Sequence, residues 1–391
     1  RFNVFASAQH INRDSYYGGG QDPNAYGNTT DLNWMAGSQY VYSFGKCIFM
    51  PADLTAGIEF NQDKLEDNMW GYHRTVDQKV NIGSAFFQNE WKNEHWGFLI
   101  GGRLDKHNLI DHVIFSPRAN LRYNPTENIN LRFSYSSGFR APQAFDEDLH
   151  VENVGGNVAM VELADNLKEE RSQSLSASAD IYHRFGAFQV NFLVEGFYTK
   201  LSDVFALTDG EVVDGILTRT RYNAPGARVM GLTLEGKMAY LTKFQVQAGV
   251  TLQQSHYSEP HVWNKEAPAV KKMMRTPNTY GYFTATYTPI KPLSIALSGT
   301  YTGSMLVPHE PVPGFLEKPI TVNTKDFFDI GLKAAYDFKL YKSMNLQVNA
   351  GVQNIFNAYQ NDFDKGADRD SGYIYGPSLP RSFFAGVKIS Y

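Results

Sequence analysis

The sequence predicts an all-β fold, a transmembrane antiparallel β-barrel, and three observations support this class. Apolar and polar residues alternate strictly over stretches of roughly ten residues, the length that crosses a bilayer as a tilted strand. Short turns alternate with long loops rich in Gly, Pro, Asn and Asp. Aromatic residues make up 14% of the chain and gather near predicted strand ends, where the girdles of membrane barrels lie.

The alternation is clearest in five predicted strands, whose apolar and polar residues face opposite sides. These strands are Ile129–Tyr135, Phe188–Tyr198, Phe244–Leu252, Met344–Val352 and Phe383–Tyr391. Their polar faces include Arg132, Glu195, Gln245, Gln247, Asn345, Gln347, Asn349 and Lys388. A dry core would penalise the charges in this set, whereas a water-filled lumen accommodates them. The pattern therefore favours a barrel over a soluble β-sandwich or propeller, which also has alternating strands.

The connections indicate the number of strands. Short turns are predicted at Phe44–Pro51, Trp91–Glu94, Pro125–Asn128, Arg184–Gly186, Leu241–Lys243, Pro289–Pro292 and Lys339–Ser343. Long loops are predicted at Ile11–Thr30, Ala141–Lys168 and Tyr257–Lys272. Counting both kinds of connection gives about 16 strands, with both chain ends on the short-turn side. The chain starts inside an alternating pattern, without an initiator Met, so we expect it to be part of a longer protein.

Composition excludes several other classes. The formal net charge of −4 argues against a nucleic-acid binder that neutralises phosphates. The single cysteine, Cys47, excludes an intrachain disulfide and a paired-cysteine zinc site. The chain has no run of about 18 apolar residues, which excludes a helical membrane protein. It also lacks a nucleophile elbow, a zinc-protease motif and a phosphate-binding loop, so no enzyme is predicted.

Three motifs resemble one known family. Phe139, Arg140, Ala141 and Pro142 follow Gly138 and resemble a "GFRAP" box that leaves a barrel strand for a long outer loop. The segment Asn223–Glu235 resembles an "N-x-x-x-A-x-x-x-G-x-E" strand in which the Glu falls later than the pattern places it. The segments 352–357 and 376–381, followed by the terminal aromatic Tyr391, resemble its closing strands. In this order, the motifs resemble the TonB-dependent outer-membrane receptors.

This resemblance implies a 22-stranded barrel filled by an N-terminal plug, of which residues 1–391 would be the C-terminal part of the barrel. The plug and the first strands would then be absent from this chain. It further implies a protein of the Gram-negative outer membrane, surrounded by lipid, that works with TonB to take up a scarce large metal chelate. The ligand classes are ferric siderophore, haem and cobalamin, none bound covalently, and a surface lipoprotein is a possible partner. Two alternatives remain open: a passive porin, and a surface-binding protein anchored by a barrel.

The predicted outer loops contain the candidate ligand-binding residues. Aromatic and histidine side chains there would pack against a large planar or macrocyclic ligand. These residues are Tyr16, Tyr17, Tyr26, Trp70, Tyr72, His73, His261 and Trp263. His150 follows the "GFRAP" box, in an interval where haem receptors of this family have a histidine, and a neutral imidazole ligates haem iron. Packing among the loops, or a solvated histidine, is the alternative in each case.

Four acidic residues suggest a metal site in the last long loop. Asp362, Asp364, Asp368 and Asp370 flank Gly366, and carboxylate oxygens at this density are typical calcium ligands. Their spacing matches no known calcium-binding loop, so a solvated acidic loop is the alternative interpretation.

Overall fold

The structure, a computed structural model, describes all residues except 17–25, 71–73, 143–157, 214–215, 342, 367–368, 371 and 378. Among these described residues, seventeen strands form one sheet, and sixteen of them are long. The long strands are β1 (Phe2–Tyr16), β2 (Tyr26–Cys47), β3 (Met50–Met69), β4 (Arg74–Lys92), β5 (Trp96–His107), β6 (Ile114–Thr126), β7 (Ile129–Arg140), β9 (Glu170–Phe185), β10 (Phe188–Ser202), β13 (Ala227–Tyr240), β14 (Phe244–His261), β16 (Thr279–Ile290), β17 (Leu293–Thr302), β20 (Phe327–Tyr341), β21 (Met344–Gln353) and β22 (Ser382–Ser390). The all-β fold and the strand number predicted from the sequence are thus confirmed.

Six shorter strands lie in the long connections. They are β8 (Val158–Leu163), β11 (Val204–Val213), β12 (Ile216–Ala224), β15 (Val270–Lys272), β18 (Leu306–His309) and β19 (Ile320–Asn323). β11, β12 and β8 form a small sheet in which β12 and β8 are parallel, and β18 pairs with β19 as a hairpin. The sequence analysis did not predict these strands because each is short and lies in a loop-like segment.

Several strands are much longer than the ten residues expected. β2 has 22 residues and β3 has 20, and residues 11–16 and 26–30 of the predicted loop Ile11–Thr30 lie in β1 and β2. The extra length carries polar side chains that pair with each other; the Asn28 amide, for example, donates to Asn12 (2.9 Å) and Asp14 (2.8 Å). A hairpin that extends into water needs no apolar face, so its strands lack the signal on which the sequence prediction depended.

The long strands pair in chain order with antiparallel neighbours, from β1–β2 to β21–β22. Among the described residues, β1 pairs only with β2, and β22 pairs only with β21. The sheet therefore has two free edges in this chain.

The two faces of the sheet differ as alternation predicts. Apolar side chains on one face are exposed, among them Ile58 (63%) and Val387 (67%), as expected for a surface that meets lipid. The other face carries polar networks: Gln247 donates to the Tyr282 hydroxyl (2.6 Å), which in turn donates to Glu235. We call these the lipid-facing and lumen-facing sides.

Aromatic pairs line the short-turn ends of the strands. The ring centroids of Phe185 and Phe188 are 5.3 Å apart, and those of Phe188 and Tyr240 are 4.6 Å apart. Trp96 stacks on Tyr123 at 4.2 Å. These rings occupy the position of an interfacial girdle. No helix in the described part of the chain is long and apolar enough to cross a membrane.

Candidate functional site

Three long loops at the ends opposite the short turns pack into one unit, which we call the outer-loop assembly. It consists of the described residues of loops 262–278, 303–326 and 354–381, which follow β14, β17 and β21. These strands are close neighbours in the sheet, because β14 pairs with β16, β16 with β17, β17 with β20 and β20 with β21. The sheet order therefore brings together loops that are distant in sequence.

The outer-loop assembly has its own apolar core. Met305, Val307 and Tyr373 are buried together, and Val322 and Tyr375 pack against them. The β18–β19 hairpin contributes Val307 and Val322, whereas the last loop contributes the two tyrosines. Two loops thus share one small core, which stabilises a defined surface at the mouth of the barrel.

Arg275 connects all three loops. Its backbone N–H donates to the Leu306 carbonyl (2.7 Å), and its guanidinium donates to the carbonyls of Ile374 (2.7 Å) and Gly372. Arg275 has a φ of 55°, an unfavourable conformation for a residue with a side chain. One residue therefore fastens β18 and the last loop to the loop that follows β14.

A histidine and two carboxylates meet where the hairpin contacts the last loop. His309 Nε2 lies 2.9 Å from Asp364 Oδ2, and the His309 ring stacks on Tyr373 with centroids 3.8 Å apart. One donor atom each from His309, Asp364 and Asp370 lies within 4.8 Å of the others. Backbone N–H groups of Glu310 and Gly372 donate to Asp370 and orient its carboxylate. An imidazole nitrogen with two carboxylate oxygens is a donor set for a transition-metal dication.

This donor group borders the segment that contains His261 and Trp263. The Asn264 amide donates to Glu310 Oε2 (2.8 Å), and Glu310 follows His309 directly. The ring of His261 lies 4.8 Å from that of Tyr257. Burial lowers the pKa of His261, so its imidazole is favoured in the neutral form.

Two tyrosines beside the donor group are poor acids. Burial and then the charge of Asp362 raise the pKa of Tyr373. Burial and then a hydrogen bond to Asp362 raise the pKa of Tyr375, whose hydroxyl donates to both carboxylate oxygens of Asp362 (2.5 and 2.6 Å). These tyrosines stay protonated near neutral pH, so they act as hydrogen-bond donors and apolar walls.

The "GFRAP" segment has contacts of its own on another part of the mouth. Arg140 forms an ion pair with Glu170 (3.2 Å) and lies over the Phe205 ring at 4.8 Å. Glu170 also accepts a hydrogen bond from the Phe205 backbone N–H (2.9 Å). Pro142 is buried. The motif therefore anchors the base of the loop after β7 to the strand β11.

A buried carboxylate joins the same loop to the neighbouring connection 108–113. Glu169 accepts hydrogen bonds from Arg171 (2.6 and 2.8 Å) and lies 3.0 Å from His112 Nε2. Burial alone would raise the pKa of Glu169, but its backbone N–H, Arg171 and His112 outweigh that effect and lower it. Glu169 is therefore ionised at neutral pH and fixes the two connections to each other.

The "N-x-x-x-A" segment forms a second anchor. The Asn223 side chain accepts a hydrogen bond from the Lys168 N–H (2.8 Å) and donates to the carbonyls of Lys168 (3.1 Å) and Asp203 (2.7 Å). Ala227, the next motif position, is almost completely buried. Both family motifs thus act by holding outer connections in place.

The predicted ligand-binding residues have different outcomes. The rings of Tyr16 and Tyr26 lie 4.9 Å apart in a tilted arrangement at the outer ends of β1 and β2, and Trp70 is 60% exposed after β3. His261 and Trp263 adjoin the outer-loop assembly. Tyr17, Tyr72, His73, His150 and Asp368 lie outside the described residues. The structure tests none of these residues for binding, so their roles remain predictions.

The predicted calcium ligands are only partly brought together. Asp364 and Asp370 join His309, whereas Asp362 is held by Tyr375 and is not a member of the donor group. Neither His309, which lies in a different loop, nor Arg275 was predicted from the sequence. No local pattern identifies either residue, because their roles depend on which loops pack together.

Comparisons with known proteins agree with the fold. The chain matches the sequence model of the family described as "TonB dependent receptor-like, beta-barrel" over residues 1–355. A comparison with curated protein sequences found no match.

Solved receptor structures share the architecture. A mutant of the ferric enterobactin receptor PfeA from Pseudomonas aeruginosa, in complex with enterobactin, is 18% identical with a TM-score of 0.70, over 100% of this chain and 59% of that one. The siderophore receptor PirA from Acinetobacter baumannii is 16% identical with a TM-score of 0.67, over 99% and 59%. The ferric-catecholate import receptor Fiu from E. coli is 15% identical with a TM-score of 0.70, over 99% and 61%. This chain thus spans about three fifths of the length of these receptors, and the likeness establishes the fold.

Proposed function

Because the chain belongs to the TonB-dependent receptor β-barrel family, we propose that it is the barrel part of a receptor for TonB-dependent uptake of an iron-chelating siderophore. Proteins of this family lie in the Gram-negative outer membrane, which is the localisation of this chain. They are transporters rather than enzymes, in agreement with the lack of an enzyme motif in the sequence.

The observation that carries the proposal is the outer-loop assembly. A receptor that captures a scarce ligand needs a preformed surface at the mouth of the barrel, since ordering flexible loops on binding costs affinity. Shared packing of Val307 and Tyr373, together with the fastening by Arg275, supplies such a surface. A passive porin needs only an open channel with selective lining charges.

The composition of the assembly supports a chelate ligand of siderophore type. His261 and Trp263, which adjoin the assembly, offer aromatic surface for such a ligand. The comparison structures include a receptor in complex with enterobactin, which supports the same ligand class. Haem and cobalamin remain alternative ligands, which follow from the resemblance alone.

A transport assay tests the proposal. The full-length receptor, expressed in a strain that lacks its own siderophore receptors, should restore uptake of radioactive iron supplied as ferric enterobactin or a related catecholate. Uptake should disappear when TonB is deleted or when the proton gradient is dissipated. Uptake that persists without TonB would indicate a porin and contradict the proposal, as would tight surface binding without entry.

The ligand class is resolved by a binding panel on the purified full-length protein. Ferric siderophores, haem and cobalamin are compared by equilibrium binding. If haem is the cargo, His150→Ala should weaken haem binding sharply and leave siderophore binding unchanged. Binding of haem or cobalamin, but of no siderophore, would overturn the proposed ligand class.

A further inference from the structure

One region of the lipid-facing side carries a row of four basic side chains. Lys200 on β10 lies opposite Arg228 on β13, and Arg228 lies opposite His256 on β14. His256 is in turn the partner of Lys272 on β15. We call these four residues the cation row. Since adjacent strands are about 4.8 Å apart, the row extends over about 14 Å.

The cation row stands directly above an apolar surface. On β10, the residues on the same face below Lys200 are Phe188, Val190, Phe192, Val194, Gly196 and Tyr198. β10 and β13 pair without a register shift, so Arg228 lies on the same face of the sheet as Lys200, above the apolar residues of β13. In a strand tilted by about 40°, the stretch from Phe188 to Tyr198 covers about 25 Å, the height of the apolar band of a barrel. Lys200 and Arg228 therefore lie at the outer boundary of the hydrocarbon.

The charges of the cation row have no partners within the described part of the chain. None of its four side chains forms a hydrogen bond or an ion pair there, and Lys200 and Arg228 are exposed. Like charges directly opposite each other on neighbouring strands are destabilising. The barrel therefore carries an electrostatic cost that an external anion would relieve.

A second pair of opposed cations on the same face has acidic residues next to it. Lys64 on β3 lies opposite Lys79 on β4, but the next outward position places Glu66 opposite Asp77. Lys64 forms an ion pair with Glu66 (2.5 Å). Lys64 and Lys79 are thus compensated by acidic residues of the same two strands, whereas the described residues of β10, β13, β14 and β15 supply no such partner to the cation row.

An apolar groove lies below the cation row. A Cβ placed on Gly196 would meet nothing within 4 Å, so this glycine leaves a notch in the surface. The groove has a volume of about 880 Å³. Its apolar lining includes Phe133, Leu175, Ala177, Tyr198, Leu232 and Leu252. A groove of this kind fits an acyl chain, because it is apolar and continuous with the lipid-facing side.

We propose that the cation row and this groove bind a phosphorylated, multiply acylated lipid of the outer leaflet. Its phosphates lie against Lys200 and Arg228, which are the side chains that pair best with phosphate oxygens. One acyl chain occupies the notch at Gly196. The site faces lipid and is separate from the lumen, so this proposal does not depend on the proposed uptake.

The test uses the full-length receptor in detergent, with bis-phosphorylated lipid A as the probe and native mass spectrometry as the readout. The variant K200Q/R228Q should bind lipid A about 30-fold more weakly, since each basic residue at a membrane surface contributes roughly a factor of five. The control K64Q/K79Q removes two opposed cations from the same face and should bind normally. Equal binding by K200Q/R228Q and wild type overturns the proposal, as does equal affinity of the wild type for phosphatidylglycerol.

A second variant separates the groove from the charges. Gly196→Phe has room to fit and should fill the notch, which weakens lipid A binding but leaves binding of deacylated, phosphorylated lipid A unchanged. If Gly196→Phe binds lipid A as the wild type does, the groove has no part in binding and the proposal is wrong. Folding is checked by the heat-dependent shift of the barrel on a gel. In lipid-free detergent, K200Q/R228Q should unfold at a slightly higher temperature, because it removes a repulsion.

Discussion

Asn223 offers the sharpest test of how the outer connections are held. Its side chain makes three hydrogen bonds, one from the Lys168 N–H and two to the carbonyls of Lys168 and Asp203. The substitution Asn223→Ala removes all three bonds at once. It leaves the strand pairing of β12 with β11 in place, because that pairing uses backbone groups.

The size of the effect follows from these contacts. Three hydrogen bonds at about 1 kcal/mol each would contribute about 3 kcal/mol to holding the loop. Asn223 is half-buried, so water replaces part of that contribution and about 2 kcal/mol remains. The equilibrium for local opening at Lys168 should therefore increase about 30-fold.

Hydrogen exchange measures this opening directly, because the Lys168 amide is itself a donor to Asn223. Exchange at Lys168 should accelerate about 30-fold in Asn223→Ala, while exchange in the paired strands β13 and β14 stays unchanged. A matched control is Asn345→Ala, which removes a single weak bond to Ser343 (3.4 Å) and should leave Lys168 unaffected. Unchanged exchange at Lys168 in Asn223→Ala would show that the side chain does not hold the loop.

Three further predictions follow from contacts at the mouth of the barrel. Because the pKa of Glu169 is lowered in the folded protein from its ordinary value of 4.5, the ionised carboxylate stabilises the mouth of the barrel at pH values above 4.5. The sensitivity of the adjoining loop to protease should therefore rise as the pH falls below 4.5, and Glu169→Gln should remove this pH dependence. Gly226 has a φ of 131° and its Cβ would collide with the Leu201 carbonyl, so Gly226→Ala should lower the stability measured by calorimetry by about 2 kcal/mol or more. Gly236→Ala on the adjoining strand β13 should be near neutral, and equal unfolding temperatures of the two variants would contradict this. We also predict that the donor group prefers zinc to calcium in titration calorimetry, and that His309→Ala weakens zinc binding by about 100-fold or more. A stronger response to calcium would contradict this and favour the calcium site predicted from the sequence.

The barrel was predictable from the sequence because lipid imposes a strict requirement on every second residue. Val190, Phe192 and Val194 must be apolar, and Glu195 is tolerated only where water is present, so alternation alone indicates both faces. The outer extensions of β2 and β3 were not predicted, since water on both sides removes that requirement. The predicted number of strands is nevertheless correct, because it depends on the positions of the short turns and not on the lengths of the strands.

The candidate site was predictable only in part. The density of Asp364 and Asp370 in the last loop was visible, but their partner His309 lies 55 residues away from Asp364 in the chain. Contacts of this kind depend on which loops meet above the sheet, and no local pattern encodes that choice. The family motif around Arg140 was recognised from the sequence, whereas its anchoring role required the positions of Glu170 and Phe205.

The triple attachment made by Arg275 has a consequence for how this surface evolves. Since the backbone N–H of Arg275 holds β18 and its guanidinium holds the last loop, these segments cannot diversify independently, and loss of the guanidinium would release the last loop. The tip of the β18–β19 hairpin is free of this constraint: Phe315 there is 76% exposed. Variation that evades antibodies or bacteriophages should therefore concentrate at that tip, while the fastening beneath it stays fixed.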